Sequence, residues 1–398
     1  MNERKNLYAA WVRGEDTIAG LCRRFGISRK TGYKWLKRAS DTDDDAFRDR
    51  SRRPRTNPRA VEPWLVDEIV QARKARPFWG PKKLRKILAI LNPRLRLPTV
   101  ATFAAILKRH GLIRPRRRRP KTPPFSAPLA HATAPNAVWC IDFKGDFAVG
   151  RSRCYPLTVT DAYSRYLIAC VALRNTRSKT VERVLTAVFT EFGLPDAIRS
   201  DNGEPFASKA VAGLSRLSTW WWRLGIRHER IEPAHPEQNG RHERMHGTLK
   251  QETASPPERT FAAQQRVFDR FRHVFNDERP HEALGMEVPA SFYAASQRRL
   301  PEPTWGRDFD YPLDAELLRV SKHGRVQSAA GSFFVSTALA GQLLAMEWTT
   351  RGVWTLRFGA LPLGIVRRSK AAPRRVQFHP LKEVLPMSQE RPEPMSTE

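Results

Sequence analysis

The sequence predicts a multidomain chain: all-α helix-turn-helix units at the N-terminus, a central α/β core, and a small all-β barrel at the C-terminus. Three observations predict it. Apolar residues recur at helical spacing through the first 113 residues. Between residues 137 and about 253, strand-like runs come first and then alternate with helical ones. From about 308 to 375 the pattern changes to short alternating runs separated by glycine turns. Charge divides the chain in a similar way. The 398 residues carry a net charge of +30. Residues 1–121 hold 33 Lys/Arg against 11 Asp/Glu (+22), and the remainder 37 against 29 (+8). Solubility does not require charge concentrated in one third of a chain. A long polyanion explains it, because each neutralised phosphate releases counterions. An anionic membrane surface is the other candidate partner, and no long apolar run, signal peptide or lipidation motif supports it.

In the first 40 residues, helices are expected over 5–12, 17–25 and 28–39, with Gly26-Ile27 as the turn and the Ser28 hydroxyl as a cap. The third helix carries Arg29, Lys30, Tyr33, Lys34, Lys37 and Arg38, a set that a helix-turn-helix would place in the DNA major groove. Residues 41–59 read as a linker. A second helix-turn-helix unit is expected over 60–113, with helices at 61–73, 80–91 and 99–110; its middle helix carries Lys82, Lys83, Arg85 and Lys86. Two such units suit a long asymmetric DNA site. Residues 114–136, with Arg117 in an arginine run followed by five prolines, read as a semi-extended basic linker, either a strap along DNA or a plain solvated tether.

The central core spans 137–295. Strands are expected over 138–147, 154–160 and 166–173, with Gly150 at the first turn. A helix over 179–192 follows, capped by Ser178, then a strand at 197–200, a helix near 211–224, a strand near 227–231 and a helix around Glu243. Three hairpin-connected strands followed by alternating helices and strands is the order of a ribonuclease-H-like fold. The barrel strands are expected at 317–320, 331–335, 343–348, 352–358 and 363–366, and residues 385–398 as a disordered tail. Cys22, Cys140, Cys154 and Cys170 form no Cys-x-x-Cys pair and are expected as buried free thiols of a cytoplasmic protein.

Three acids stand out. In the first core strand, Trp139, Ile141 and Phe143 alternate onto one face, while Val138, Cys140, Asp142 and Lys144 lie on the other. An unpaired carboxylate there would cost about 3 kcal/mol or more. A metal ion, a hydrogen-bond cage or a salt bridge to Lys144 must compensate it. Asp146 is a weaker alternative ligand. Asp201 emerges at the end of the 197–200 strand, in Ser200-Asp-Asn-Gly203. Asp161 competes for that role, but its setting favours holding a turn through backbone amides two or three residues on. At 100° per residue, Glu243 shares a helix face with Asn239, Gly247 and Lys250, with Met245 and Leu249 opposite and docked on the sheet. His246 falls at the edge of that face and reads as a polar contact rather than a ligand. Converging carboxylates of this kind can hold two divalent cations that activate an attacking oxygen and stabilise a leaving one at a phosphodiester.

Five phrases occur in order: Trp-x-x-Asp-x-Lys-Gly from Trp139, Asp-x-x-Ser-Arg from Asp161, Ser-Asp-Asn-Gly-x-x-Phe from Ser200, His-Pro-x-x-Asn-Gly-x-x-Glu-Arg from His235, and Glu-Arg-Pro-His-x-Ala-Leu-Gly from Glu278. Together they resemble the integrase-core DDE transposases of bacterial insertion sequences, relatives of retroviral integrase, over at least residues 137–293. The resemblance implies a catalytic and metal-binding triad of Asp142, Asp201 and Glu243, two Mg²⁺ or Mn²⁺ ions, and contact of Lys250 with terminal DNA. Lys144 and Asn239 flank that site as further DNA contacts. Asp201 and Glu243 are separated by 41 residues, whereas 35 separate Asp201 from Glu237, the spacing familiar from retroviral enzymes. Glu243 is preferred because Glu237 precedes Asn239-Gly240, in the loop before the helix. The Trp220-Trp221-Trp222 run reads as core and interface packing.

The expected activity is that of a transposase. It binds the terminal inverted repeats of its element, frees a 3′-OH by hydrolysis, and joins that hydroxyl to target double-stranded DNA as a homodimer or higher oligomer. An inactive DNA-binding regulator is the second class, favoured by loss of a triad acid, and none is lost. A nuclease acting on RNA–DNA hybrids is the third. The flanking helix-turn-helix units argue against it.

Overall fold

The computed structural model describes residues 2–39, 46–49, 60–113, 129, 131–208, 210–231, 240–306, 308–368 and 376–381. They divide into two compact units, Met1–Glu62 and Pro63–Glu398. Arg117, Asn239 and Glu237, and the tail at 385–398, lie outside the described residues.

The first unit is built from α1 (Asn2–Val12), α2 (Ile18–Arg24) and α3 (Arg29–Ala39). Thr17 caps α2, its hydroxyl accepting from the Gly20 amide, and Ser28 accepts from the Thr31 amide at the start of α3. Leu7, Ala10, Leu21 and Trp35 form the small core. The Arg4 guanidinium lies 4.0 Å from the centre of the Trp35 ring, a cation–π contact that leaves the charged end wet.

The second unit opens with α4 (Pro63–Ala75), α5 (Pro81–Leu91) and α6 (Val100–Arg109), packed through Leu65, Ile69, Leu84, Leu88, Phe103, Ile106 and Leu107. The mixed α/β core follows: β1 (Trp139–Phe143), β2 (Phe147–Val149), β3 (Ser152–Asp161), β4 (Leu167–Leu173), α7 (Ser178–Phe192), β5 (Ala197–Ser200), α8 (Arg216–Arg223), β6 (Arg227–Arg230), α9 (Gly240–Thr253) and α10 (Phe261–His273). The sheet runs β2-β3-β1-β5-β6, with β4 on the other edge of β3. β1 is antiparallel to β3 and parallel to β5, which is parallel to β6.

Alternation along β1 decides what covers each face. Trp139 and Ile141 enter the main core with Val181, Leu185 and Phe189 of α7 and Leu217, Trp220 and Trp221 of α8. The opposite face lies under α9 and α10, whose Met245, Leu249, Phe268 and Phe271 pack on Val149, Cys154 and Cys170. Asp142 is on this second face, beneath α9.

Several elements differ from expectation. The single strand expected over 138–147 is two strands, interrupted at Gly145, which holds φ +74, a backbone setting that side chains with a Cβ resist. Ser178 is the first residue of α7 rather than its cap, which is Arg177 with no side-chain bond. The helix expected near 211–224 is a short 3-10 turn at Val211–Gly213 followed by α8, because Ala212 and Gly213 both take positive φ. Part of the expected linker belongs to the core: Leu129 and Ala132 are buried with Val138, Cys140 and Ala197.

After the core comes an antiparallel sheet in the order β13-β12-β11-β10-β7, from β7 (Glu316–Arg319), β10 (Leu343–Thr350), β11 (Val353–Phe358), β12 (Leu361–Arg368) and β13 (Val376–Pro380). A separate hairpin, β8 (Arg325–Ser328) and β9 (Gly331–Phe334), packs on it through Phe333 against Phe378. Among the described residues no ladder joins β13 to β7. The region expected as a barrel is an antiparallel sheet with a hairpin over its core, and closure is not seen among the described residues. That core also takes in Val211 and Leu214, so the sheet is packed onto the connection that leads into α8. All four cysteines are free and buried. No helix among the described residues is long and apolar enough to cross a membrane.

Candidate active site

Asp142 pairs with Thr158 in the β1–β3 ladder, so its side chain rises from the middle of the sheet toward α9. Asp201 follows the last residue of β5, the parallel neighbour of β1, and accepts from the Gly203 amide at 3.2 Å. Glu243 lies in the first turn of α9, exposed together with Gly247 and Lys250. The positive end of the helix dipole favours an anion there.

Electrostatics tie the three together. Burial pushes the Asp142 carboxyl up to about 7, the Asp201 carboxylate adds to the rise and Glu243 adds again, while the Phe143 amide and Lys144 oppose it. The side chain of Asp142 is only 19% exposed. A desolvated carboxylate raised further by two neighbouring carboxylates suits a hard divalent cation, whose charge would offset that pressure.

The other sequence candidates separate. Asp146 is exposed and paired with Arg153, which turns it away from this set. Asp161 holds a turn: its carboxylate accepts from the Ser164 amide at 2.7 Å, the Ser164 hydroxyl at 2.6 Å and the Asn136 amide at 2.8 Å. Lys144 is half-buried beside Asp142. Arg29, Lys30 and Lys34 are exposed on α3. On α5, Lys82 pairs with Glu282 at 2.8 Å and Lys86 with Glu287 at 2.6 Å, while Arg76 reaches Glu278 at 3.3 Å. Lys83 turns inward, and burial and then Arg279 bring its ammonium down to about 8. It lines a cavity of about 620 Å³ with Arg165, Arg244, Arg279, His281 and Glu282.

Two arrangements go beyond the sequence reading, in which His246 was a polar contact with no partner named. His242 and His246 are both buried, at 2% and 5% exposure, and both reach the Thr158 hydroxyl through Nε2 at 2.7 Å. The sequence carries the signal, since residues four apart on a helix share a face. The second group is a buried ion pair, Arg199 to Glu229 at 3.0 Å, which ties β5 to β6 just before Asp201.

A family profile described as "Integrase core domain" matches residues 132–236, and a second of the same description matches 224–289. A profile described as "leucine-zipper of insertion element IS481" matches residues 8–75. An uncharacterised 39.2 kDa protein of insertion element IS476 from Xanthomonas euvesicatoria is 29% identical over 292 residues, covering 71% of this chain and 80% of the relative. An uncharacterised 31.7 kDa protein of insertion element IS407 from Burkholderia multivorans is 30% identical over 192 residues, 48% of this chain and 67% of the relative. Among solved structures, the catalytic core domain of HTLV-2 integrase in complex with magnesium aligns at 14% identity over 40% of this chain and 98% of that one, with a TM-score of 0.33. By these matches the chain belongs to the integrase-core transposases of insertion elements, within the DDE polynucleotidyl transferases.

Proposed function

We propose that this transposase recognises the terminal inverted repeats of its element and carries out metal-dependent cleavage and strand transfer at Asp142, Asp201 and Glu243. The observation that carries this reading is the pressure of two further carboxylates on an acid already desolvated in the sheet. Held by the three acids, two Mg²⁺ or Mn²⁺ ions would supply activation of the attacking oxygen and stabilisation of the leaving one.

The chain's own residues do the rest. The β1–β3 ladder holds Asp142, and Asp201 follows β5, the parallel neighbour of β1, which supports a shared site. Asp142 belongs to a strand, Asp201 is the residue after a strand and Glu243 is in the first turn of α9, which supports a site drawn from three separate parts of the core. Lys250, about two turns further along the exposed face of α9, and Lys144, beside Asp142, orient phosphates of the terminal DNA. Asn239 is assigned to the same surface. Residues 1–40 and 60–113 act as two helix-turn-helix units, reading the repeat through Arg29, Lys30 and Lys34 of α3 and through Lys82 of α5, whereas Lys83, also expected to contact DNA, turns into the cavity beside Arg279. Residues 114–136, with Arg117, form the basic linker, its last part packed into a ribonuclease-H-like core over 137–295, and 308–375 acts as a small barrel. Joining two ends requires at least a dimer in the complex with DNA. The free thiols suit a reducing bacterial cytoplasm, where the chain would work at the nucleoid.

Strand transfer of labelled element-end DNA in Mn²⁺ tests the assignment, comparing wild type with Asp142→Asn, Asp201→Asn, Glu243→Gln and Glu237→Gln. The first three should lose joining by a factor of 10³ or so, in line with loss of transition-state charge stabilisation, and keep end binding. Glu237→Gln should join normally. Retained joining in any of the first three removes that acid from the triad. A dead Glu237→Gln with an active Glu243→Gln moves the third acid to 237.

A further inference from the structure

The hydroxyl of Thr158 is shared by three groups: the main-chain oxygen of Asp142 at 3.1 Å, Nε2 of His242 at 2.7 Å and Nε2 of His246 at 2.7 Å. A threonine hydroxyl offers one proton and two lone pairs. The carbonyl can only accept, so the proton goes to Asp142, and both imidazoles must donate from Nε2. A neutral ring protonated at Nε2 carries its lone pair on Nδ1.

The two rings then part ways. His242 uses its Nδ1 lone pair to accept from the Thr160 hydroxyl at 3.0 Å. The Nδ1 of His246 faces Oδ2 of Asp142 at 3.8 Å, across a gap too wide for a hydrogen bond. Two ligands bonded at about 2.1 Å to one ion stand no more than about 4.2 Å apart. A separation of 3.8 Å lies within that span.

We propose that Nδ1 of His246 is a ligand of the cation bound by Asp142, and that Thr158 fixes the tautomer that makes it one. This rests on the three-acid metal site proposed above and adds a nitrogen donor to it. Potential ligand atoms of Asp142, His242 and His246 lie within 4.8 Å of one another. Both nitrogens of His242 are taken up by threonine hydroxyls, which assigns His242 to positioning and His246 to coordination. Imidazole nitrogen suits transition-metal ions better than Mg²⁺, so the site should hold Mn²⁺ more tightly than Mg²⁺.

The test is pulsed EPR on the full-length chain with substoichiometric Mn²⁺, reading ¹⁴N coupling to the ion. Wild type and His242→Asn should show the coupling. His246→Asn should lose it, with Mn²⁺ affinity falling on the order of 10-fold or more. Thr158→Val should weaken both signal and affinity. Mn²⁺ bound in an Asp142-dependent way but without ¹⁴N coupling in wild type overturns the histidine ligand and leaves the acid site standing. Coupling that persists in His246→Asn also overturns it. Mn²⁺ binding indifferent to Asp142→Asn overturns both this proposal and the acid site beneath it. The wild-type spectrum alone is decisive if a variant fails to fold.

Discussion

Asp142 is more basic than a free carboxylic acid, and this has a sign that can be worked out. Its folded value of about 7 lies above the ordinary 3.8. Between those values the folded chain keeps a proton that the unfolded chain has released. For this group, stability of the metal-free chain is greatest below about pH 4 and falls as pH rises toward about 7. In EDTA, Asp142→Asn should therefore stabilise the chain at pH 8 by roughly 2–4 kcal/mol and make little difference at pH 4. Urea unfolding of both proteins at the two pH values checks this; an equal difference at both would show that Asp142 ionises normally. Single residues were legible where the sequence constrained them locally. Asp161 holds its turn through Ser164, three residues on, as its short-range setting implied. Trp220 and Trp221 are core. The thiols are buried and free. His246 makes the polar contact its position implied, with the Thr158 hydroxyl, but its partner lies in a strand far away along the chain and was not legible.

At the scale of elements, α5 carries the clearest consequence. Two lysines that would meet DNA phosphates are engaged by the chain's own carboxylates, Lys82 by Glu282 and Lys86 by Glu287. Solvent reaches both pairs, so each is worth under about 1 kcal/mol to the fold. Replacing Glu282 and Glu287 with alanine should leave the melting temperature nearly unchanged. It should tighten duplex binding and steepen the dependence of log K on log salt by up to about 2, near 0.9 for each new phosphate contact. Fluorescence anisotropy across a salt series measures this, and an unchanged slope would show that neither lysine reaches DNA. Strand faces were legible from alternation alone, since β1 divides between the two faces as its pattern implied. Helix α9 was legible in its exposed face, with Glu243, Gly247 and Lys250 all outward. Element ends were less so. Gly145 splits one expected strand, and nothing in a glycine distinguishes a kink from a turn until its φ is known. Helix α10 and strands β8 and β13 were not anticipated.

For the whole molecule, buried histidines set the acid limit. His228, His242 and His281 are held near 3, and His246 near 2, chiefly by burial. Their folded values lie below the ordinary 6.5, so the stability they confer is complete above about pH 6.5 and is lost as pH falls toward 3. Each can add up to about 1.4 kcal/mol per pH unit to the slope. Unfolding followed by tryptophan fluorescence should show steep acid destabilisation below pH 6.5, and His228→Asn together with His281→Asn should make it shallower. The order of domains was legible because charge and periodicity change along the chain in step. Closure of the C-terminal sheet was not, because closure depends on pairing between strands distant in sequence. The pressure of Asp201 and Glu243 on Asp142 has a consequence beyond a single protein. On the proposed assignment, loss of the charge at Asp142 would end catalysis while removing a desolvated carboxylate from the sheet. An inactivated copy of the element would then encode a longer-lived protein that still occupies the same DNA ends. Within one genome, such copies would act as dominant inhibitors of their active siblings, so that decay of some copies restrains the spread of the rest.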